Sequence, residues 1–306
     1  MDSLVLKTCA KINLSLDVTG TRPDGYHLVQ MVMQSVDLCD EMRIRLLPSE
    51  ETRIDLKCNK YYVPVDSRNT AYKAAAKMIE RFPERFRQRS VRIDLKKTIP
   101  VAAGLAGGSS NAAGVLVGLN DLLDLGMDLK DMCELGMEIG ADVPFCVMTQ
   151  AADPRWNLQG GTRCALAEGI GEKLTPLKPV RLWCVLVKPP LSVSTAEVYQ
   201  ELDKIRSYPH PDTEKLLNGL RTGNIHILTQ GMGNVLENYT LNAYPEVDAV
   251  KKKMMAYNPE MTLMSGSGPT VYSLFPGKKK AMNVFTRLKK ELEGIGCSVF
   301  LAKTLT

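Results

Sequence analysis

Residues 100–111, PVAAGLAGGSSN, set small side chains, three glycines and two serines directly ahead of the apolar stretch AAGVLVGLNDLLDL. A turn of this kind opening a helix lets backbone amides approach an anion closely, and the first N–H groups and the positive end of the helix dipole favour negative charge there. Ser109 and Ser110 add hydroxyls suited to a phosphate or a metal ion. The competing reading is a tight turn that only lets a strand and a helix pack. No GK[ST] follows, so this is not a Walker A loop, and no complete GxGxxG occurs. The chain also lacks the HRD and DFG motifs of protein kinases.

Three shorter stretches could join it. Gly140-Ala141-Asp142-Val143-Pro144 fixes an aspartate on a rigid turn, where it either caps a helix or handles a proton. Residues 264–270, MSGSGPT, are a second candidate anion nest or a plain turn. In GTRPDGYH (20–27), Asp24-Gly25 has hairpin-turn chemistry and presents Tyr26 and His27 together, Tyr26 being either a core aromatic or a ligand contact.

The elements that must position these residues follow from periodicity. In KINLSLDV (11–18), Ile12, Leu14, Leu16 and Val18 alternate with Lys11, Asn13, Ser15 and Asp17. The period of two predicts a strand with one face in the core and Lys11, Asn13 and Ser15 together on the other. Further strands are expected at 43–47, 53–57, 91–95, 182–187, 271–275 and 297–301. Asn69 is placed to cap a helix that runs to the break at Pro83, and Asp128 to cap LKDMCELGMEI, which Gly140 can close. Helices are expected at about 195–206, 213–220, 245–256 and 279–293, and residues 149–161 read as a loop with an exposed Trp156. The alternation gives an α+β chain in two domains, 1–165 and 166–306.

Composition narrows the function classes. The 306 residues exceed one small module, and 44% hydrophobic with 24% charged residues is ordinary for a globular chain. Thirty-nine basic against 34 acidic residues leave +5, which suits an anionic small molecule as well as a nucleic acid. Basic residues are mixed with acids in ERFPERFRQRSVRIDLKK, without interleaved aromatics, so a solvated face is the better reading than RNA binding. With three scattered histidines (27, 210, 226), a multi-histidine metal site is not expected. Eight cysteines without a CxxC pair, no apolar run of membrane length and no signal-like start point to a cytoplasmic protein with buried thiols.

Taken in order, KINLSLDV, GTRPDGYH, PVAAGLAGGSSNAA, GADVPFC, VKPPLSVSTAEVY and MSGSGPTVY resemble the GHMP kinase superfamily over residues 5 to 302. GTRPDGYH directly after the first strand narrows the resemblance to the branch that phosphorylates the 2-hydroxyl of a cytidyl-diphosphate-linked methylerythritol. The resemblance implies a two-domain fold, its N-terminal half like the second domain of ribosomal protein S5 and its C-terminal half ferredoxin-like. It implies ATP as co-substrate and Mg2+ as cofactor, a small-molecule substrate, neither nucleic acid nor membrane as partner, and a monomer or homodimer.

Carried over residue by residue, ATP falls on Pro100, Val101, Ala102, Ala103, Gly104, Leu105, Ala106, Gly107, Gly108, Ser109 and Ser110, with Asn69 and Lys97 near the adenine and Ser110 the metal contact. The catalytic pair is Lys11 and Asp142, the ammonium keeping the carboxylate ionised as base or orienting acceptor. Asn13, Tyr26, His27, Thr195 and Tyr199 fall on the cytidyl substrate, with Tyr26 and Tyr199 stacking on the base. Two departures stand out. Pro190-Leu191 replaces an aromatic-containing pair, and residues 147–159 read as a surface excursion, structural or a lid edge, with no chemical role. Competing readings are another kinase of the superfamily acting on homoserine, mevalonate or a sugar, and a catalytically silent nucleotide-binding regulator.

Overall fold

The computed structural model describes residues 3–306; positions 1 and 2 of the expected N-terminal half lie outside the described residues. The chain forms two compact units interleaved along the sequence, one of residues 1–10, 39–101 and 106–162, the other of residues 11–38, 102–105 and 163–306.

The chain opens with two long strands, β1 (Ser3–Thr21) and β2 (His27–Pro48), and continues with β3 (Arg53–Cys58), α1 (Thr70–Arg81), β4 (Arg89–Lys96), α2 (Gly107–Leu123), α3 (Leu129–Met137) and α4 (Val143–Ala151). In the first unit the strand order is β3-β4-β2-β1. β4 runs antiparallel to β2, with Arg45 opposite Arg92, and parallel to β3. Alternation explains the packing: Met42, Ile44, Leu46, Val91, Ile93 and Leu95 are buried while the intervening charged residues face out. The expected caps form, Asn69 Oδ1 accepting from Ala71 N–H at 2.9 Å and Asp128 Oδ1 from Asp131 N–H at 2.8 Å.

The reading of residues 147–159 is corrected. Val147–Ala151 complete the helix α4 and are buried, Pro154–Trp156 form one 3₁₀ turn, and Trp156 is 7% exposed rather than at the surface. The polar run misled because Gln150 is a core residue whose amide donates to Lys7 O at 2.9 Å. Deleting residues 147–159 is therefore expected to abolish cooperative unfolding in a circular-dichroism melt; a retained sigmoidal transition would refute this. The expectation of eight thiols is corrected too, since Cys9 and Cys39 on the neighbouring strands β1 and β2 form a disulfide while the other six remain thiols. Thirty residues of separation gave no spacing signal for that pair. Burial pushes the Cys164 thiol up to about 12, so its reactive thiolate form is scarce.

The second unit adds β5 (Cys164–Gly169), β6 (Lys173–Pro176), β7 (Trp183–Lys188), α5 (Thr195–Leu202), α6 (Thr213–Thr222), α7 (Ile225–Gly231), β8 (Gly233–Asn234), α8 (Glu237–Ala243), α9 (Pro245–Met255), β9 (Met261–Met264), β10 (Val271–Phe275), α10 (Lys278–Leu292) and β11 (Ser298–Lys303). One sheet here runs β8-β1-β2-β5-β6 and the other is the antiparallel β11-β7-β10-β9. Residues 183–187 of LWCVLV lie in the central β7, where Cys184, Val185, Leu186 and Val187 are buried as the continuous apolar run requires. β1 and β2 meet in a turn where Gly25 has φ 87°, a left-handed conformation a glycine adopts without cost, and Arg22 N–H donates to Tyr26 O at 2.7 Å. The expectation of a half-exposed strand at 11–18 is corrected: Lys11, Asn13 and Ser15 are as buried as their apolar neighbours.

Candidate functional site

In the first unit, α2 begins at Gly107 from Ala106, which holds φ 54° and offers no side-chain cap. The first-turn amides of this 17-residue helix are thus not spent on a capping side chain, the condition an anion site needs. The floor is tight. A Cβ on Gly107 would lie 2.9 Å from Ile99 Cγ2 and 3.1 Å from Lys97 Nζ, and one on Gly108 would lie 3.1 Å from Thr70 Oγ1. Thr70 Oγ1 also donates to Gly108 O at 2.7 Å, tying α1 to this turn.

Beneath it lies a buried polar cluster. Asp40, fully buried, accepts from Thr98 N–H at 2.7 Å and Ile99 N–H at 2.8 Å with one oxygen. Its other oxygen accepts from Lys97 Nζ and, at 2.9 Å, from Asn111 Nδ2. Asn111 completes the set by accepting from Lys97 Nζ at 2.9 Å and donating to Thr8 Oγ1 at 2.7 Å. Ser110 Oγ donates to Cys9 O at 2.6 Å. Asn69 spends its amide on the α1 cap and on Pro64 O at 2.7 Å. Asp142, half-buried at the start of α4, makes no side-chain cap bond, so its place is not explained by helix capping.

The second unit holds Lys11. Its ammonium donates to Asn13 Oδ1 at 2.7 Å, and the same oxygen accepts from Gly266 N–H at 3.0 Å. Lys11 N–H donates to Leu105 O at 3.1 Å. Gly104 rests on the 264–270 loop: Ser265 Oγ donates to Gly104 O at 2.9 Å, and a Cβ on Gly104 would fall 2.0 Å from Ser265 O. With φ 72° as well, this position accepts only glycine. The MSGSGPT stretch is thus more than a turn, since it seats both Asn13 and Gly104.

The expected substrate residues gather in the same unit. The rings of His27 and Tyr199 have centroids 4.9 Å apart, and His27 Nε2 lies 2.9 Å from Asp203 Oδ1. Because an ionised carboxylate only accepts, Nε2 carries the proton in this pair. Thr195 and Ser267 hydroxyls are bonded at 2.8 Å, and Tyr26 stands 62% exposed at the hairpin tip, not in a core. Sequence reasoning missed Glu197, whose Oε1 accepts from Tyr239 Oη at 2.7 Å and Tyr244 Oη at 3.2 Å. That bond to Glu197 pushes the Tyr239 phenol up to about 12, so it stays protonated as donor. Near Pro190-Leu191, burial lowers the Lys188 pKa, and its Nζ braces the turn by donating to Pro189 O and Leu191 O.

Models of the GHMP kinases N-terminal domain and of the GHMP kinases C-terminal match residues 69–150 and 215–294. Over 94% of its length the chain is 47% identical to a 4-diphosphocytidyl-2-C-methyl-D-erythritol kinase of Alkaliphilus oremlandii, covering 93% of that protein. The chain belongs to the GHMP kinase family. A second such kinase, from Brevibacillus brevis, is 44% identical over 98% of this chain and 96% of its own. This GHMP kinase also superposes on the crystal structure of a 4-(cytidine 5'-diphospho)-2C-methyl-D-erythritol kinase with TM-score 0.78 and 30% identity, covering 99% of this chain and 100% of that one. A homoserine kinase from Cytophaga hutchinsonii, TM-score 0.74 at 19% identity over 100% of this chain and 95% of that one, shares the fold.

Magnesium fits this residue set in one way. Among the described residues no group of three or more His, Cys, Asp or Glu could hold a metal ion. A Mg2+ ion would be held mainly by phosphate oxygens and water, as this cation commonly is; the Ser110 hydroxyl, the contact that the resemblance implies, donates to Cys9 O in this structure. No helix among the described residues is long and apolar enough to cross a membrane.

Proposed function

We propose that this chain is an ATP-dependent small-molecule kinase that phosphorylates the 2-hydroxyl of 4-diphosphocytidyl-2-C-methyl-D-erythritol, releasing ADP, in non-mevalonate isoprenoid precursor synthesis. The observation that carries the substrate assignment is the His27–Tyr199 ring pair, with Asp203 on His27 and exposed Tyr26 on the same hairpin. Aromatic faces and a tautomer-fixed imidazole suit a nucleobase and have no use on homoserine or mevalonate. The high identity to kinases of that name supports the same reading.

Phosphoryl transfer through a loose transition state asks a protein for positioning and charge neutralisation more than for covalent chemistry. The uncapped start of α2 is assigned the ATP phosphates, together with residues 100–106. Magnesium, when bound, supplies charge neutralisation on those phosphates. Asp142 is assigned to the substrate hydroxyl, orienting it and accepting its proton, and Lys11 to the positive charge that keeps this chemistry poised. Tyr26, His27, Thr195 and Tyr199 are assigned the cytidyl end, and Asn13 accepts from the Lys11 ammonium through its Oδ1.

ADP release measured with the cytidyl substrate, homoserine, mevalonate and a sugar tests the assignment. Turnover with the cytidyl substrate alone is expected; turnover with another acceptor and none with this one would overturn it. At the base end, a truncated stacking contact is worth about 1–3 kcal/mol, roughly a five- to 150-fold weakening. Tyr199→Ala is expected to raise KM for the cytidyl substrate by that factor and leave KM for ATP nearly unchanged, because the base lies far from the reacting hydroxyl. A shift in the ATP KM instead would reassign this surface to the phosphoryl donor.

A further inference from the structure

Residues 231–239, GMGNVLENY, carry buried polar side chains that the reaction above does not use. Asn234, 6% exposed, is the second residue of the strand β8, which pairs with β1 at Ser15 and Leu16. Its Nδ2 donates to Met264 O and to Gly266 O, both at 2.8 Å, while its Oδ1 accepts from Leu236 N–H at 3.0 Å. All its polar capacity except one lone pair is therefore committed, and none is left to donate to a substrate. Glu237 Oε1 accepts from Met264 N–H at 2.8 Å, and its Oε2 is paired with Lys251 at 2.6 Å. The segment grips the backbone of Met264 and Gly266 from one side.

On the other side, the same Gly266 donates its N–H to Asn13 Oδ1, the atom on which the Lys11 ammonium sits. Two donors converging on one atom identify it as the amide oxygen and fix the rotation of the Asn13 side chain, whose Nδ2 is turned towards Met31 Sδ at 3.4 Å. The backbone beneath is pinned as well, because the fully buried Tyr272 donates its hydroxyl to Asn13 O at 2.7 Å. Gly266 is thus held at its carbonyl by Asn234 and passes its position through its N–H to Asn13 and on to Lys11.

We infer that Asn234 is a positioning residue for the Lys11 ammonium, acting through Gly266 and Asn13 without touching either substrate. The inference rests on Lys11 carrying the reaction as proposed above. Loss of the two Asn234 donors leaves the Met264 and Gly266 carbonyls without these donors in a buried place and frees the backbone on both sides of the Gly266 Cα, including the 265–266 peptide whose N–H reaches Asn13. Asn13 then loses the second donor that sets its rotation, and the lysine loses its fixed seat. Misplacement of a catalytic group by about 1 Å costs on the order of a hundredfold, so Asn234→Ala is expected to lower kcat roughly ten- to hundredfold.

A double-mutant cycle separates positioning from general damage. Asn234→Ala, Lys11→Met and the double variant are compared by kcat, each rate divided by the fraction of folded protein from a thermal melt. If Asn234 acts through Lys11, adding Asn234→Ala to Lys11→Met changes kcat by less than about twofold, because there is no ammonium left to misplace. Multiplying losses would overturn the inference while leaving the role of Lys11 intact, as would an Asn234→Ala variant of unaltered kcat. Near-normal turnover of Lys11→Met would instead overturn the reading of Lys11 and this inference with it. Should Asn234→Ala fail to fold, Asn234→Ser, which keeps one donor, goes through the same cycle with the same criteria.

Discussion

Asp142→Asn and Lys11→Met are each expected to lower turnover on the order of a hundredfold or more, the size of a general acid–base contribution. The two substitutions remove different things. Asparagine keeps the shape of Asp142 and one acceptor oxygen but loses the negative charge that takes up a proton. Since α4 draws no side-chain cap from Asp142, the change removes no cap from that helix, and a thermal melt gives the folded fraction by which the variant's kcat is corrected. Methionine keeps the length of Lys11 and its hydrophobic stem but leaves Asn13 Oδ1 with only the Gly266 amide, at 3.0 Å. Some stability is lost there, so the Lys11 variant needs its kcat corrected for folded fraction. Steady-state ADP release with both substrates saturating checks the prediction. Normal turnover in either folded variant would remove that residue from the reaction, and a silent nucleotide-binding regulator would show no turnover in the parent chain.

What could be read from the sequence was what is local. Asn69 and Asp128 cap the helices that follow them because a cap needs only the next two or three amides. Asp24-Gly25 makes its turn for the same reason. β2 shows the limit. Only its 43–47 segment alternates cleanly, yet the strand runs from His27 to Pro48 through polar residues. Those polar residues find partners far away in sequence: Gln34 donates to Val180 O across 146 positions, and Asp40 meets Lys97 across 57. A single-chain pattern cannot show such partners, so the residues read as interruptions. Asn234 and Glu237 were hidden likewise, since their role is to hold a loop about 30 residues later. The resemblance supplied the residues proposed to face the substrates, and the structure supplied Asn234 and Glu237, which hold the loop that seats Asn13.

Lys97 is where these two sources of information pull apart, and the expected result there is a large loss of stability. By resemblance the residue lies near the adenine, but Lys97 is 6% exposed and its ammonium is hydrogen-bonded to fully buried Asp40 and to Asn111. Lys97→Met leaves the Asp40 carboxylate with three N–H partners and no countercharge. Breaking a buried ion pair from one side costs about 3–5 kcal/mol, because the remaining charge is uncompensated. Asp40→Asn added to Lys97→Met removes that charge, keeps an oxygen for the Thr98 and Ile99 amides, and lets Asn111 rotate to accept from the new amide. The double variant is therefore expected to regain much of the stability that the single one loses. Denaturant midpoints of the two variants, read beside their KM for ATP, decide the matter. A Lys97→Met variant of undiminished stability and strongly raised ATP KM would return Lys97 to the nucleotide. A destabilised single variant rescued by Asp40→Asn would make it the buried countercharge under the start of α2, acting on ATP only by holding that helix in place.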